Sequence, residues 1–405
     1  MAALANRLFP MSVMLPHASP DPTLAIFCKV VDNYGDIGIC WRLARQLRHE
    51  HGVAVTLWVD DLASFRRICP EVDTAAALQD VRGVTVRHWA GQDGVFAPED
   101  VAGIVIEFFG CDIPPGYIEA MARRTPRPVW LNYEGLTAED WVEGCHRLPS
   151  MHPRLKLTKH FFFPGFTAQT GGLLCEQDLE ARRIAFQGDQ AAQRAFLGRF
   201  QLSERELAAR KVSLFCYPDA PVSELFQIWV QGEGAVACLV PEGVAAQAVG
   251  EFIGAEPVAG AAATRGALSV RVLPFVAQPD YDLLLWACDL NFVRGEDSWV
   301  RAQWAGRPFV WHIYPQDENL HHKKLRAFLA RYATGLPALQ AFSLGWNGAA
   351  EPDSWPQAWA ALRDEMPAIA ERATTWRQEV LAHGDLATKL LDFARELGRA
   401  QENQI

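Results

Sequence analysis

Two short segments carry the residue types that group transfer needs. The first is Val31-Asp32-Asn33-Tyr34-Gly35-Asp36-Ile37-Gly38, with carboxylates at 32 and 36 inside a glycine-bearing turn. A carboxylate so placed can accept a proton or pair with a cation. Helix capping by Asp36 and strand termination by Asp32 are the competing explanation. An acid at a helix start has its anion stabilised, which favours a base over an acid. The glycine spacing is not G-x-G-x-x-G and no P-loop lysine follows, so the usual dinucleotide fingerprint is absent. The second segment is Phe292-Val293-Arg294-Gly295-Glu296-Asp297-Ser298-Trp299. Free N–H groups at a helix start, the Arg294 charge and the Ser298 hydroxyl together suit a diphosphate. An N-cap at Ser298 or Asp297 explains the same residues without a ligand. Glu296 and Asp297 fit badly beside phosphate by charge alone, and make sense if one meets sugar hydroxyls or an acceptor.

Two further stretches end in aromatics: Leu214-Phe215-Cys216-Tyr217-Pro218 and Pro274-Phe275-Val276-Ala277-Gln278-Pro279-Asp280-Tyr281. Phe215, Tyr217 and Phe275 could stack on a base, and the Gln278 amide both donates and accepts; as core or turn aromatics they would need no ligand. Asp280 and Asp282 form a D-x-D, a pattern that can hold a divalent metal. Here it starts a helix, so we read the pair as first-turn acids. His321 and His322 are adjacent, so on a helix they should face different directions, as solvated or packing residues.

These segments need a scaffold. Ala25–Val31 reads as a strand, and Ile39, Leu43 and Leu47 mark a helix after the Asp32–Gly38 turn. Gly52 stops it and Val53–Val59 is the next strand, giving strand–turn–helix–strand, the signature of a parallel sheet. Further strands are expected at 84–89, 103–109 and 129–133, and a second set at 212–217, 235–240, 268–272, 289–293 and 308–313. The reading is α/β: residues 23–175 as one doubly wound domain, 176–210 as a helical connection, 211–380 as a second such domain and 381–405 as a C-terminal helix able to pack back on the first. Residues 1–22 read as a loose leader rather than a signal peptide, because Pro10 and Pro16 interrupt the apolar stretch. In paired sheets of this kind ligands bind beyond the carboxyl ends of the strands. Both carboxylate-bearing turns fall there, facing one cleft.

Bulk properties narrow the class. The chain has 405 residues, half of them hydrophobic, and a formal net charge of −10. Nucleic-acid binding needs a basic face, so no nucleic acid is expected. No run of about 18 apolar residues suggests a membrane span. Nine cysteines without any C-x-x-C read as buried thiols in a reducing, cytoplasmic compartment, not as a zinc site.

Long stretches of the chain resemble the EarP family of bacterial protein-arginine rhamnosyltransferases, which modify elongation factor P. The resemblance rests on Val30–Gly38, Trp41–Leu47, Trp141–His146 with Leu148–Ser150, Phe163–Thr167 with Thr170–Gly172, Arg294–Trp304 and Tyr314–Gln316. It implies a GT-B fold, two facing Rossmann-like domains, with no metal or other cofactor. It implies dTDP-β-L-rhamnose as the donor, held mainly by the C-terminal domain, and inverting transfer to an arginine of elongation factor P. By the same resemblance Asp32, Asp36 and Glu296 are the functional acids. The donor-binding positions fall on Phe215, Tyr217, Phe275, Gln278, Arg294, Glu296, Asp297, Ser298 and Tyr314. On this reading Asp36 is the general base, Asp32 steadies the loop or the guanidinium, and Arg294 with the helix start stands in for a metal. Two rivals remain at this stage: another GT-B enzyme (an epimerase or a small-molecule glycosyltransferase), or a non-catalytic module that grips a nucleotide sugar or a translation factor.

Overall fold

The computed structural model describes residues 23–403 apart from Asn33 and Gln92, so the leader at 1–22 lies outside the described residues. Continuous apolar runs that lack alternation become strands buried on both faces. Thus β1 (Thr23–Cys28) is buried from Leu24 onward, and it pairs in parallel with β2 (Ala54–Val59). Around them stand β3 (Leu78–Val81), β4 (Val84–His88), β5 (Ile104–Phe108), β6 (Val129–Tyr133), β7 (Pro149–Met151) and β8 (Thr158–Phe162). The order across this sheet is β3-β4-β2-β1-β5-β6-β8-β7. Among the described residues, only the edge strands β3 and β7 run antiparallel to their neighbours.

The second sheet is built the same way, from β9 (Arg210–Leu214), β10 (Val236–Pro241), β11 (Ala262–Arg265), β12 (Leu268–Leu273), β13 (Leu290–Arg294) and β14 (Phe309–His312). Its order is β11-β12-β10-β9-β13-β14, with β11 the antiparallel edge. Three short helices, Leu179–Gly188, Gln190–Gly198 and Glu204–Ala208, connect the two sheets. The last helix, Leu386–Glu402, returns to the first unit: Leu386, Leu390, Leu391 and Phe393 lie in the same core as Leu24 and Leu131. Its N-cap acid, Asp385, accepts the backbone N–H of Cys175 at 3.1 Å and so ties that return to the connecting segment.

A buried ion network locks the two units. Arg42, on the Gly35–His51 helix, donates from Nε to Asp297 at 2.8 Å and from both terminal nitrogens to Asp282. Arg301 clasps Asp282 from the other side and reaches Glu176 at 2.7 Å. Burial works against the Glu176 charge, but Arg301 and Arg42 outweigh it and hold this carboxyl down at about 2. A buried pair with satisfied partners fixes geometry, while removal of one partner strands a charge. Asp282 is therefore an interdomain anchor, and Asp280 is held by Arg199 at 2.6 Å.

Candidate active site in the interdomain cleft

The turn after β1 folds back on its own helix. Tyr34 is the N-cap of Gly35–His51 and makes no side-chain cap bond. Asp36, in the first helical turn, does not cap forward. Its Oδ2 accepts the backbone N–H groups of Val31 at 2.7 Å and Asp32 at 2.8 Å. The capping expectation thus gives way to a carboxylate that staples the preceding turn and keeps Oδ1 in hand. Burial raises the affinity of Asp36 for a proton, and the Asp32 and Val31 amides pull it partly back. Asp32, raised by burial and lowered by its Tyr217 bond and by Arg294, accepts the Tyr217 hydroxyl at 2.8 Å.

The turn after β13 is the counterpart. The helix it opens runs from Asp297 to Ala305, with Glu296 as an N-cap whose side chain makes no capping bond. Neither Ser298 nor Asp297 caps it, contrary to the expectation from sequence. The Ser298 hydroxyl instead bonds back to Arg294, accepting its N–H at 3.0 Å and donating to its carbonyl. Asp297 is occupied by Arg42 and by the Gln278 amide at 3.2 Å. Arg294 lies over the rings of Phe215 and Tyr217, 4.2 and 4.8 Å from their centroids, and donates to the Cys216 carbonyl. Such stacking aims a guanidinium while leaving further donors for an anion.

The two turns touch. Gly295 has φ of +59°, and a Cβ there would sit 2.7 Å from the Asp32 carboxylate and 2.9 Å from the Tyr217 hydroxyl. Only a residue without a side chain allows both the backbone conformation and the approach.

Around this contact the cleft divides. A narrow, mostly apolar slot of about 70 Å³ is lined by Phe215, Phe275, Gln278, Arg294, Asp297 and Ser298, with Asp32 and Tyr34 opposite. The Gln278 Nε2 donates to the Gly38 carbonyl at 2.9 Å, while its buried Oε1 has no partner among the described residues. A larger cavity of about 490 Å³ is lined by Asp36, Glu296, Tyr314, Trp311 and Lys324, again with Asp32. Asp32 and Gly35 border both spaces. Tyr314 thus belongs to the larger cavity, where its ring meets Tyr217 at 5.6 Å, and not to the slot with Phe275 and Gln278. Glu296 reaches this cavity from deep in the cleft. Its Oε2 accepts the Leu136 N–H at 2.9 Å, and burial pushes its carboxyl up to about 8, so that at neutral pH it carries a proton.

All the site residues read from the sequence except Tyr217 line one space or the other, Tyr217 standing behind them on Asp32 and Arg294, while most of the larger cavity's lining was not read. Glu134, Phe109 and Lys324 line the larger cavity too. Glu134 and Phe109 directly follow β6 and β5, and the strand-end rule that located Asp32 would have located them. His321 and His322 lie outside both spaces, and their rings meet at 4.2 Å rather than diverging. Among the described residues no group of three or more His, Cys, Asp or Glu could hold a metal ion.

Two Rossmann-like units, facing each other across a cleft floored by strand ends, define the GT-B fold. A protein-family model described as "Elongation-Factor P (EF-P) rhamnosyltransferase EarP" matches residues 24–395, and the chain belongs to that family. It is 49% identical over 379 residues to a protein of Pseudomonas putida named protein-arginine rhamnosyltransferase, covering 92% of this chain and 98% of that relative. A protein of the same name from Pseudomonas aeruginosa is 46% identical over 374 residues, covering 91% and 97%. Among solved structures, one described as "Structural basis for EarP-mediated arginine glycosylation of translation elongation factor EF-P" is similar at 37% identity with a TM-score of 0.62, covering 92% of this chain and 99% of that one.

Proposed function

We propose that this chain moves L-rhamnose from dTDP-β-L-rhamnose to an arginine side chain of elongation factor P, with inversion, without a metal, in the cytoplasm. The supporting observation is the contact at Gly295, which joins an acid-bearing turn to a diphosphate-binding turn. The names of the relatives supply the sugar and the acceptor. No described helix is long and apolar enough to cross a membrane.

In this reading the slot takes the nucleotide. Phe215 and Phe275 offer rings to the base and Gln278 offers its free oxygen as an acceptor. Arg294 and the N–H groups opening the Asp297–Ala305 helix take the diphosphate, and stabilise the charge that grows there as the glycosidic bond breaks. The sugar then projects past Asp32 into the larger cavity. Glu296, protonated at neutral pH, donates a hydrogen bond to a sugar hydroxyl there.

Guanidinium is a poor nucleophile because its charge is delocalised and its pKa lies above about 12. Full deprotonation before attack is out of reach of a carboxylate. Asp36 Oδ1 instead orients one nitrogen and takes its proton as the C–N bond forms. Asp32, held by Tyr217, fixes the loop from which Asp36 acts. A single displacement from the face opposite the diphosphate needs no covalent protein–sugar intermediate.

The test is the intact mass of elongation factor P after incubation with this chain and dTDP-rhamnose. A gain of one deoxyhexose on arginine is expected. Release of thymidine diphosphate without protein modification would indicate another GT-B reaction.

A further inference from the structure

The larger cavity holds more than the acids assigned above. Beside Glu296, which accepts the Leu136 N–H, the ends of β5 and β6 form a corner. Phe109 follows β5 with φ of +54°, a left-handed conformation that a bulky side chain adopts only when its surroundings force it. Three contacts force it. The Phe109 N–H donates to the Tyr133 carbonyl at 2.8 Å, the next N–H, of Gly110, donates to Asn132 Oδ1 at 3.1 Å, and the ring stacks on Phe108 with centroids 3.9 Å apart. The outcome is an aromatic ring that remains 37% exposed, at the cavity wall rather than in the core beneath.

The same asparagine serves Glu134. Asn132 is buried, and its Nδ2 donates to Glu134 Oε1 at 2.5 Å. One side chain therefore sets both the aromatic and the carboxylate. Glu134 Oε2 accepts no hydrogen bond among the described residues, and no cation lies within ion-pair distance of it, although Lys159 and Lys324 stand nearby. Lys159 is engaged by Glu107 at 2.9 Å. The corner also faces the acids already placed: a Cβ on Gly135 would lie 3.8 Å from Glu296 Oε2 and 3.9 Å from the edge of the Phe109 ring. Burial raises the proton affinity of Glu134 and the two lysines lower it, so a cation arriving beside it strengthens its charged form.

A carboxylate with an unused oxygen beside an exposed ring is the pair that a guanidinium recognises, the fork by the oxygens and the flat face by the ring. Of the acids placed above, Asp36 keeps its free oxygen for the reacting nitrogen, Asp32 is bonded to Tyr217, and burial holds the proton on Glu296, so the unused Glu134 oxygen is left for the distal nitrogens. We propose that Glu134 and Phe109 form the receptor for the acceptor guanidinium, with Glu134 pairing its distal nitrogens while one nitrogen is presented to Asp36. Asn132 is the positioning residue of the pair. This rests on the proposed transfer to arginine and deepens it: the larger cavity selects arginine by a carboxylate–aromatic clamp on the β5–β6 side, separate from the donor slot.

The experiment is steady-state kinetics of Glu134→Gln and Phe109→Leu against elongation factor P, with thymidine diphosphate binding to each variant measured by calorimetry. The wild-type chain first modifies the acceptor; if it does not, the parent reading fails and the variants are not needed to show it. Given that activity, Glu134→Gln is expected to raise the acceptor KM about ten-fold or more, and Phe109→Leu about three-fold, with thymidine diphosphate affinity unchanged. Glu134→Asp, which keeps the charge, should recover part of the loss. Unchanged acceptor KM in Glu134→Gln would overturn the proposal. So would a loss confined to donor KM or diphosphate binding, which would place Glu134 with the sugar. If Glu134→Gln does not fold, Glu134→Asp and Phe109→Leu decide by the same split between acceptor KM and donor affinity.

Discussion

The turn after β1 and the turn after β13 each join a parallel strand to a helix, one in either sheet, yet they are wired in opposite senses. In the first, backbone N–H groups are spent on a carboxylate of the same turn, Asp36. In the second, the hydroxyl of Ser298 folds back on Arg294 and the carboxylate of Asp297 is drawn away by Arg42, so the helix start keeps its own N–H groups for something else. One turn comes with its anion built in, and the other is left without one. The lesson is that a strand-to-helix turn has no fixed chemistry. What it can do depends on where its side chains send the local acids.

The sharpest way to break this contrast is Asp36→Asn. The amide keeps shape and can still staple the turn through its oxygen, but it cannot take a proton. Turnover is expected to fall about 10²–10⁴-fold with thymidine diphosphate affinity retained, as measured by single-turnover kinetics and calorimetry. Near-normal turnover would move the base elsewhere. Next in size is Arg294→Ala on the opposite turn. It removes charge from the diphosphate side, so about a 10²-fold loss in kcat/KM is expected, accompanied by weaker diphosphate binding that Asp36→Asn should not show. If both variants lost the same parameter, the division of labour would be wrong.

The smallest effect concerns stability. Glu296 holds its proton up to about pH 8 in the folded chain, against about 4.5 for an ordinary glutamate. The folded state therefore binds more protons than the unfolded one in that window. Stability is full below the unfolded pKa and is lost as pH rises through the folded one. The wild-type Tm is expected to fall between pH 5 and 8, and Glu296→Gln should flatten that fall. An equal slope in both would mean that Glu296 is already ionised at neutral pH.

Much of this was legible in the sequence. Val129–Tyr133 is a strand with its predicted limits, and the apolar runs gave most of the parallel strands. The edges were not legible. Leu78-Gln79-Asp80-Val81 and Thr158-Lys159-His160-Phe161-Phe162 carry no clean apolar run, because an edge or mixed strand is specified by its partner and not by its own pattern. The site residues were found as motifs, while their bonds were not: Asp36 bonds back to the amides of its own turn where forward capping fits the same residues, and that Asp297 answers to Arg42 255 positions away is set by tertiary approach. Glu134 and Phe109 stand at strand ends, a position that points to the cleft, but neither belongs to a motif that singles out its own strand end from the others.

The closing helix has a consequence for how the chain is made. Leu386, Leu390 and Phe393 complete the apolar interior of the unit whose strands were synthesised first. On a ribosome adding about 5–20 residues per second, that interior stays open for on the order of ten seconds or more after β8 has emerged. The nascent first half must therefore wait, uncovered, for the tail that seals it. A chain cut short before Leu386 would leave that apolar groove bare, open to chaperones and proteases.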